Sequence, residues 1–146
     1  MSFSFGGEFE ARKSPEEVYD FLTDPNRFAP LLPDFQSLSV EDAKNFTVKV
    51  KVGVSHIRGT AAIKMQLVEA ERPAKAVYRG SGSVAGGNAN MTAGFELAAS
   101  DNGTRVRWKG EAQVSGPIIS IAGGLLEPLA KKNVEKLING LQAALA

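Results

Sequence analysis

The chain has 146 residues, 43% of them hydrophobic and 23% charged, the balance of a soluble globular protein and not of a disordered one. It has no cysteine and one histidine, His56, which excludes disulfide scaffolds, thiol catalysis, iron–sulfur clusters and multi-histidine or cysteine-ligated metal centres. Formal charge is +1, too small to announce nucleic acid as a partner, yet residues 1–42 carry three basic and nine acidic side chains against 14 and seven in residues 43–146.

The N-terminus, Met1 to Phe5, lacks the basic and apolar regions of a secretory signal. Phe3, Phe5, Gly7, Phe9 and Ala11 then alternate with Ser4, Gly6, Glu8 and Glu10, the period of a half-buried strand. Ser14-Pro15-Glu16-Glu17 supplies a cap, a proline for the first turn and an acidic residue three places on, so a short helix starts here with Val18, Phe21 and Leu22 on its apolar stripe. A second short helical piece spans about Pro25 to Leu32.

Strand patterns follow to about residue 115. Phe46, Val48, Val50, Val52 and Val54 alternate with Thr47, Lys49, Lys51 and Gly53; Ile57 to Leu67 repeats the period. Segments Lys75 to Ala85, Asn88 to Ala99 and Thr104 to Val114 complete the set, joined by turns at Ser55-His56, Arg72-Pro73, Gly86-Gly87 and Asp101-Asn102-Gly103. Connections this short imply an antiparallel meander. The chain closes with helical spacing from Ile118 through Leu145, interrupted by Gly123-Gly124 and Pro128, where a kink is expected. Its most apolar run, Ile118 to Leu126, is too short to cross a bilayer, which needs about 20 apolar residues. The cytoplasm is the expected location, with Asn45, Asn90 and Asn102 only chance glycosylation sequons. With no linker or repeat, residues 1–146 read as one domain.

The inward alternates of the strands are unusually small: Gly59, Ala61, Gly80, Gly82, Ala89, Ala93, Gly110 and Ala112, beside Met65, Met91, Phe95 and Trp108. A solid core needs volume at such places. Either the sheet curves tightly under a closely docked helix, or an apolar cavity lies between sheet and helix and suits a hydrophobic small ligand. The candidate lining set is Phe28 and Leu32 from the second helical piece, then Gly59, Ala61, Ile63 and Met65, then Tyr78, Gly80 and Gly82. Met91, Ala93, Phe95 and Trp108 extend it, and Ile121, Leu125 and Leu129 close it from the terminal helix.

Catalytic candidates are few. Gly80-Ser81-Gly82-Ser83-Val84-Ala85 fits a dinucleotide-binding pattern but leads into Gly86-Gly87-Asn88 and no helix, so it has no helix N-terminus for a pyrophosphate. His56 in its turn has no carboxylate placed by spacing to orient it. Arg105, Arg107 and Lys109 share an outer face with Lys49, Lys51 and Lys64; this is a solvated face or a contact for an anionic membrane or acidic protein. No metal ligands, catalytic residues or cofactor are assigned.

The order strand, two short helices, strands and a long terminal helix resembles the START-like helix-grip superfamily, an α+β fold in which a curved antiparallel sheet of about seven strands wraps a long C-terminal helix. Within it the chain resembles the carbon monoxide dehydrogenase G-subunit family. The matching segments are Gly7-Glu8-Phe9, Ser14 to Tyr19, Leu22-Thr23-Asp24-Pro25, Leu31-Leu32-Pro33 and Lys49 to Val54. Tyr78 to Gly82, Gly103-Thr104 and Val114-Ser115-Gly116-Pro117 continue the match. The resemblance implies a non-catalytic accessory protein with a hydrophobic cavity for a quinone or lipid, serving a molybdenum hydroxylase and helping it meet the membrane. Two departures stand out: Asp34-Phe35 replaces the Gly-Cys of many relatives, and the chain stops at Ala146 where longer relatives continue in a tail. Membrane contact is therefore expected to be transient. Two alternatives remain: a cyclase- or dehydratase-like enzyme using His56, Tyr78 and Asn90, and a solid-core protein–protein adaptor.

Overall fold

A computed structural model describes residues 1–54, 57–84 and 87–146, with the backbone alone at Val84. Strand β1 (Ser2–Ala11) leads to α1 (Pro15–Leu22) and α2 (Pro25–Phe28), and a single 3-10 turn at Ala29–Leu31 extends the second piece. Strands β2 (Phe35–Val40), β3 (Asn45–Val54), β4 (Ile57–Glu71), β5 (Lys75–Val84), β6 (Gly87–Ser100) and β7 (Gly103–Ser115) precede α3 (Ile118–Ala144). The seven strands form one antiparallel sheet in the order β1-β7-β6-β5-β4-β3-β2, so the first strand closes on the last and the rest run as a meander. This is the helix-grip fold.

Local chemistry explains the boundaries. The Ser14 hydroxyl accepts the Glu17 N–H at 3.2 Å and donates to the Glu17 carboxylate at 3.3 Å, while Pro15 occupies the first turn. Asp24 caps α2 by accepting the Asn26 N–H at 3.0 Å. Asp34 adopts φ 57°, a left-handed conformation, and aspartate is among the few side chains that tolerate it. Gly103, at φ 150°, has the Ala11 carbonyl where a Cβ would sit, so the tight β6–β7 turn can lie against the end of β1. Gly7 is paired with Trp108 across β1 and β7, and the indole ring occupies the space a side chain there would need, 3.1 to 3.2 Å away.

The terminal helix is the long element that its helical spacing predicts. It is one helix through Pro128, and the lost hydrogen bond falls on Gly124, which is exposed and has no neighbour within 4 Å of an added Cβ. Water can satisfy the freed carbonyl there, and no side chain crowds the proline ring.

The core gathers at one end. Phe9 and Ala11 of β1, Val18, Tyr19, Phe21 and Leu22 of α1, Ala76, Phe95, Leu97 and Val106 of the sheet, and Leu141 and Leu145 pack into one cluster. The Arg12 N–H donates to the Leu145 carbonyl at 3.1 Å and pins the end of α3 to the end of β1. The opposite half of the sheet, where α3 begins, is covered differently and positions the candidate site.

Candidate functional site

Side-chain alternation gives the sheet a concave apolar face. Val50 and Val52 of β3, Ile63 and Met65 of β4, Met91 and Ala93 of β6, and Phe5 of β1 are all only half-buried on it. Gly110, between Phe5 and Ala93 in register, has no heavy atom within 4 Å of the place a Cβ would take. Opposite lies the first half of α3. Ile118 is 1% exposed and Ala122 3%, so this stripe of the helix is the one turned to the protein. Leu125 shares the stripe, seven residues after Ile118 and three after Ala122, yet is 53% exposed; Ile121, one turn before it, is 60% exposed. Leu125 and Ile121 therefore leave apolar surface uncovered on this half of the helix.

The lining residues named from the sequence fall into three groups. Met65, Met91, Ala93, Trp108 and Leu129 are half-buried, as is Ile63, and Trp108 also packs against the core cluster. Ala61 is 1% exposed, and Phe95, at 9%, belongs to the packed cluster. Phe28 makes an edge contact with Phe46 at 5.8 Å and a tilted one with Tyr78 at 5.8 Å, and Leu32 is half-buried nearby. Gly59 is exposed. Two glycines have work other than opening volume. The thioethers of Met65 and Met91 fill the place of a Gly80 side chain, and at Gly82 a Cβ would stand 2.7 Å from the Ala62 carbonyl oxygen.

The polar candidates separate as well. The buried Tyr78 hydroxyl donates to the Leu22 carbonyl at 3.0 Å, and burial pushes its pKa well above the ordinary tyrosine value. It therefore stays protonated and tethers β5 to the end of α1. Asn90 is corrected: it alternates with Ala89 and Met91 and points away from the concave face. His56 lies outside the described residues.

Charges on the outer face are unevenly committed. Arg105 pairs with Glu10 and Arg107 with Glu8, each at 3.0 Å, and Lys109 pairs with Glu111 at 3.2 Å. Sequence alternation placed these cations on one face but could not show that β1 lies beside β7 and neutralises the two arginines. A groove of about 550 Å³ also crosses this outer face, with Lys64, Gln66, Arg79, Asn90 and Gln113 among its walls. No periodicity signals it, because its walls come from five strands that only the sheet order brings together.

The model of the carbon monoxide dehydrogenase G-subunit (CoxG) family matches residues 7–146. The chain belongs to this family. No curated protein matches it by sequence. Among solved structures, a conserved protein from Geobacillus kaustophilus superposes with a TM-score of 0.83 at 19% identity, covering 98% of this chain and 95% of that one. The protein TTHA0849 from Thermus thermophilus gives 0.64 at 21% identity, covering 98% and 97%. The ZhuI aromatase/cyclase from Streptomyces sp. R1128 gives 0.68 at 14% identity, covering 99% and 94%. These likenesses establish the fold that this CoxG family member shares with an aromatase/cyclase. Among the described residues no helix is long and apolar enough to cross a membrane.

Proposed function

We propose that this protein is a non-catalytic accessory protein that holds an apolar small molecule, a quinone or lipid, between the concave sheet face and the first half of α3. The observation that carries the proposal is the exposure of Leu125 and Ile121 opposite the half-buried methionines and the open Gly110. Apolar surface left facing a gap in a fold of this kind gains free energy when an apolar ligand covers it, about 25 cal/mol per Å². Family membership, together with a fold shared with an aromatase/cyclase, supports a hydrophobic-ligand-binding domain. The family name supports service to a molybdenum hydroxylase of the carbon monoxide dehydrogenase type. The structural tether of the Tyr78 hydroxyl and the outward aim of Asn90 favour holding a ligand over transforming it.

Native mass spectrometry of gently purified protein, followed by organic extraction, tests this directly. The expected result is a complex heavier than the chain by an apolar small molecule that is recovered unchanged. Protein that carries nothing and takes up neither quinone nor lipid would overturn the proposal, as would conversion of the added molecule into a product.

A further inference from the structure

The outer face of the sheet carries charge that the chain itself leaves unanswered. Lys49 and Lys51 of β3, Arg58 and Lys64 of β4 and Arg79 of β5 are all exposed there, and among the described residues none forms an ion pair. The groove crosses five strands, from Asn45 on β3 to Gln113 on β7, about 19 Å at the usual strand spacing. Lys64 and Arg79 lie in it on neighbouring strands, with hydroxyls and amides such as Ser81, Asn90 and Thr92 and the apolar Met65, Met91 and Ala112 also in its lining. Glu111, at the far wall, has its charge offset by Lys109.

We propose that this outer face of β3–β5 docks an acidic segment of a partner protein, seated in the groove over Lys64 and Arg79. Unpaired cations clustered on one face attract an anionic surface and fix its orientation. The groove's shape and lining select a polypeptide. It is concave, whereas a lipid surface is flat, and beside Met65, Met91 and Ala112 its lining includes Gln66, Ser81, Asn90, Thr92 and Gln113, which offer donors and acceptors to a peptide backbone. A second copy of the chain fits poorly. Of the nine acidic residues in the N-terminal 42, Glu8, Glu10 and Asp20 are already in ion pairs, and Glu17, Asp24 and Asp42 are engaged in cap or turn hydrogen bonds. The docking surface lies on the face of the sheet opposite the ligand space and does not depend on that space being filled.

The test is fluorescence anisotropy with a short fluorescein-labelled peptide of alternating glutamate and alanine, using the full chain. Two neutralised proteins of equal net charge are compared: Lys64→Gln with Arg79→Gln, and Arg105→Gln with Arg107→Gln. All four positions are exposed, and circular dichroism checks that both variants fold. Wild type should bind the peptide with an affinity that falls as salt rises. The first variant should lose at least about tenfold and the second less than about threefold, since its arginines are already committed. Equal losses would show an effect of net charge alone and overturn the proposal, as would failure of wild type to bind. Tighter binding to phosphatidylglycerol vesicles with the same residue dependence would replace the protein partner by a lipid surface. Self-association at low salt that the first variant abolishes would replace it by a second copy. Either result contradicts the proposal.

Discussion

At the scale of single residues, Tyr78 separates a structural polar group from a functional one. Its hydroxyl is buried, donates to the Leu22 carbonyl and is held protonated by desolvation, so it serves as a tether and not as a base. Tyr78→Phe should therefore lower stability by about 1 kcal/mol, the worth of one buried hydrogen bond, and leave binding of an apolar probe unchanged. Chemical denaturation alongside a probe titration checks both halves. The sharing of one sheet face was legible at this scale where alternation alone decides, as for Met65, Met91 and Ala93. The work of Gly80 was not legible. That glycine's space is claimed by methionines from β4 and β6, and only the strand register brings all three together.

The terminal helix divides into two halves with different work. Leu141 is 8% exposed and belongs to the packed cluster, whereas Leu125 on the sheet-facing stripe is 53% exposed. Leu141→Ala should cost about 2–5 kcal/mol, as a leucine removed from a filled core does. Leu125→Ala should cost under about 1 kcal/mol, because little packing is lost, while weakening uptake of an apolar probe. Thermal melts of the two variants, with the probe bound and free, make the comparison. Among the elements, α1 was readable from Ser14-Pro15-Glu16-Glu17, and β3 from its unbroken alternation. Strand β2 was not readable as a separate element: Phe35 to Val40 is an edge strand with few buried positions and a register shift between Phe35 and Ser37. The long α3 was readable from its helical spacing, and its passage through Pro128 is eased by the exposure of Gly124 one turn earlier.

The whole molecule joins a filled end to an open one, and its surface charges set its response to acid. Arg72 holds Asp20 below the usual carboxylate range through two hydrogen bonds, at 2.9 and 3.0 Å. The Lys44 N–H and the Asn45 side chain do the same for Asp42. A carboxyl lowered in the folded state adds stability above its unfolded value, about 3.9, and loses it as pH falls through the folded value. The melting temperature should thus hold from neutral pH to about 5 and decline below about 4. Asp20→Asn should reduce that decline, and both effects stay modest because the groups are exposed. The central claim, an apolar ligand between sheet and helix, is tested most directly by the one tryptophan. Trp108 is half-buried on the concave face, two residues from Gly110. Titrating a short-chain quinone while following its fluorescence should give saturable quenching that Ala93→Phe largely removes without loss of fold. Quenching that rises linearly with quinone, identical in wild type and Ala93→Phe, would contradict a ligand site on that face.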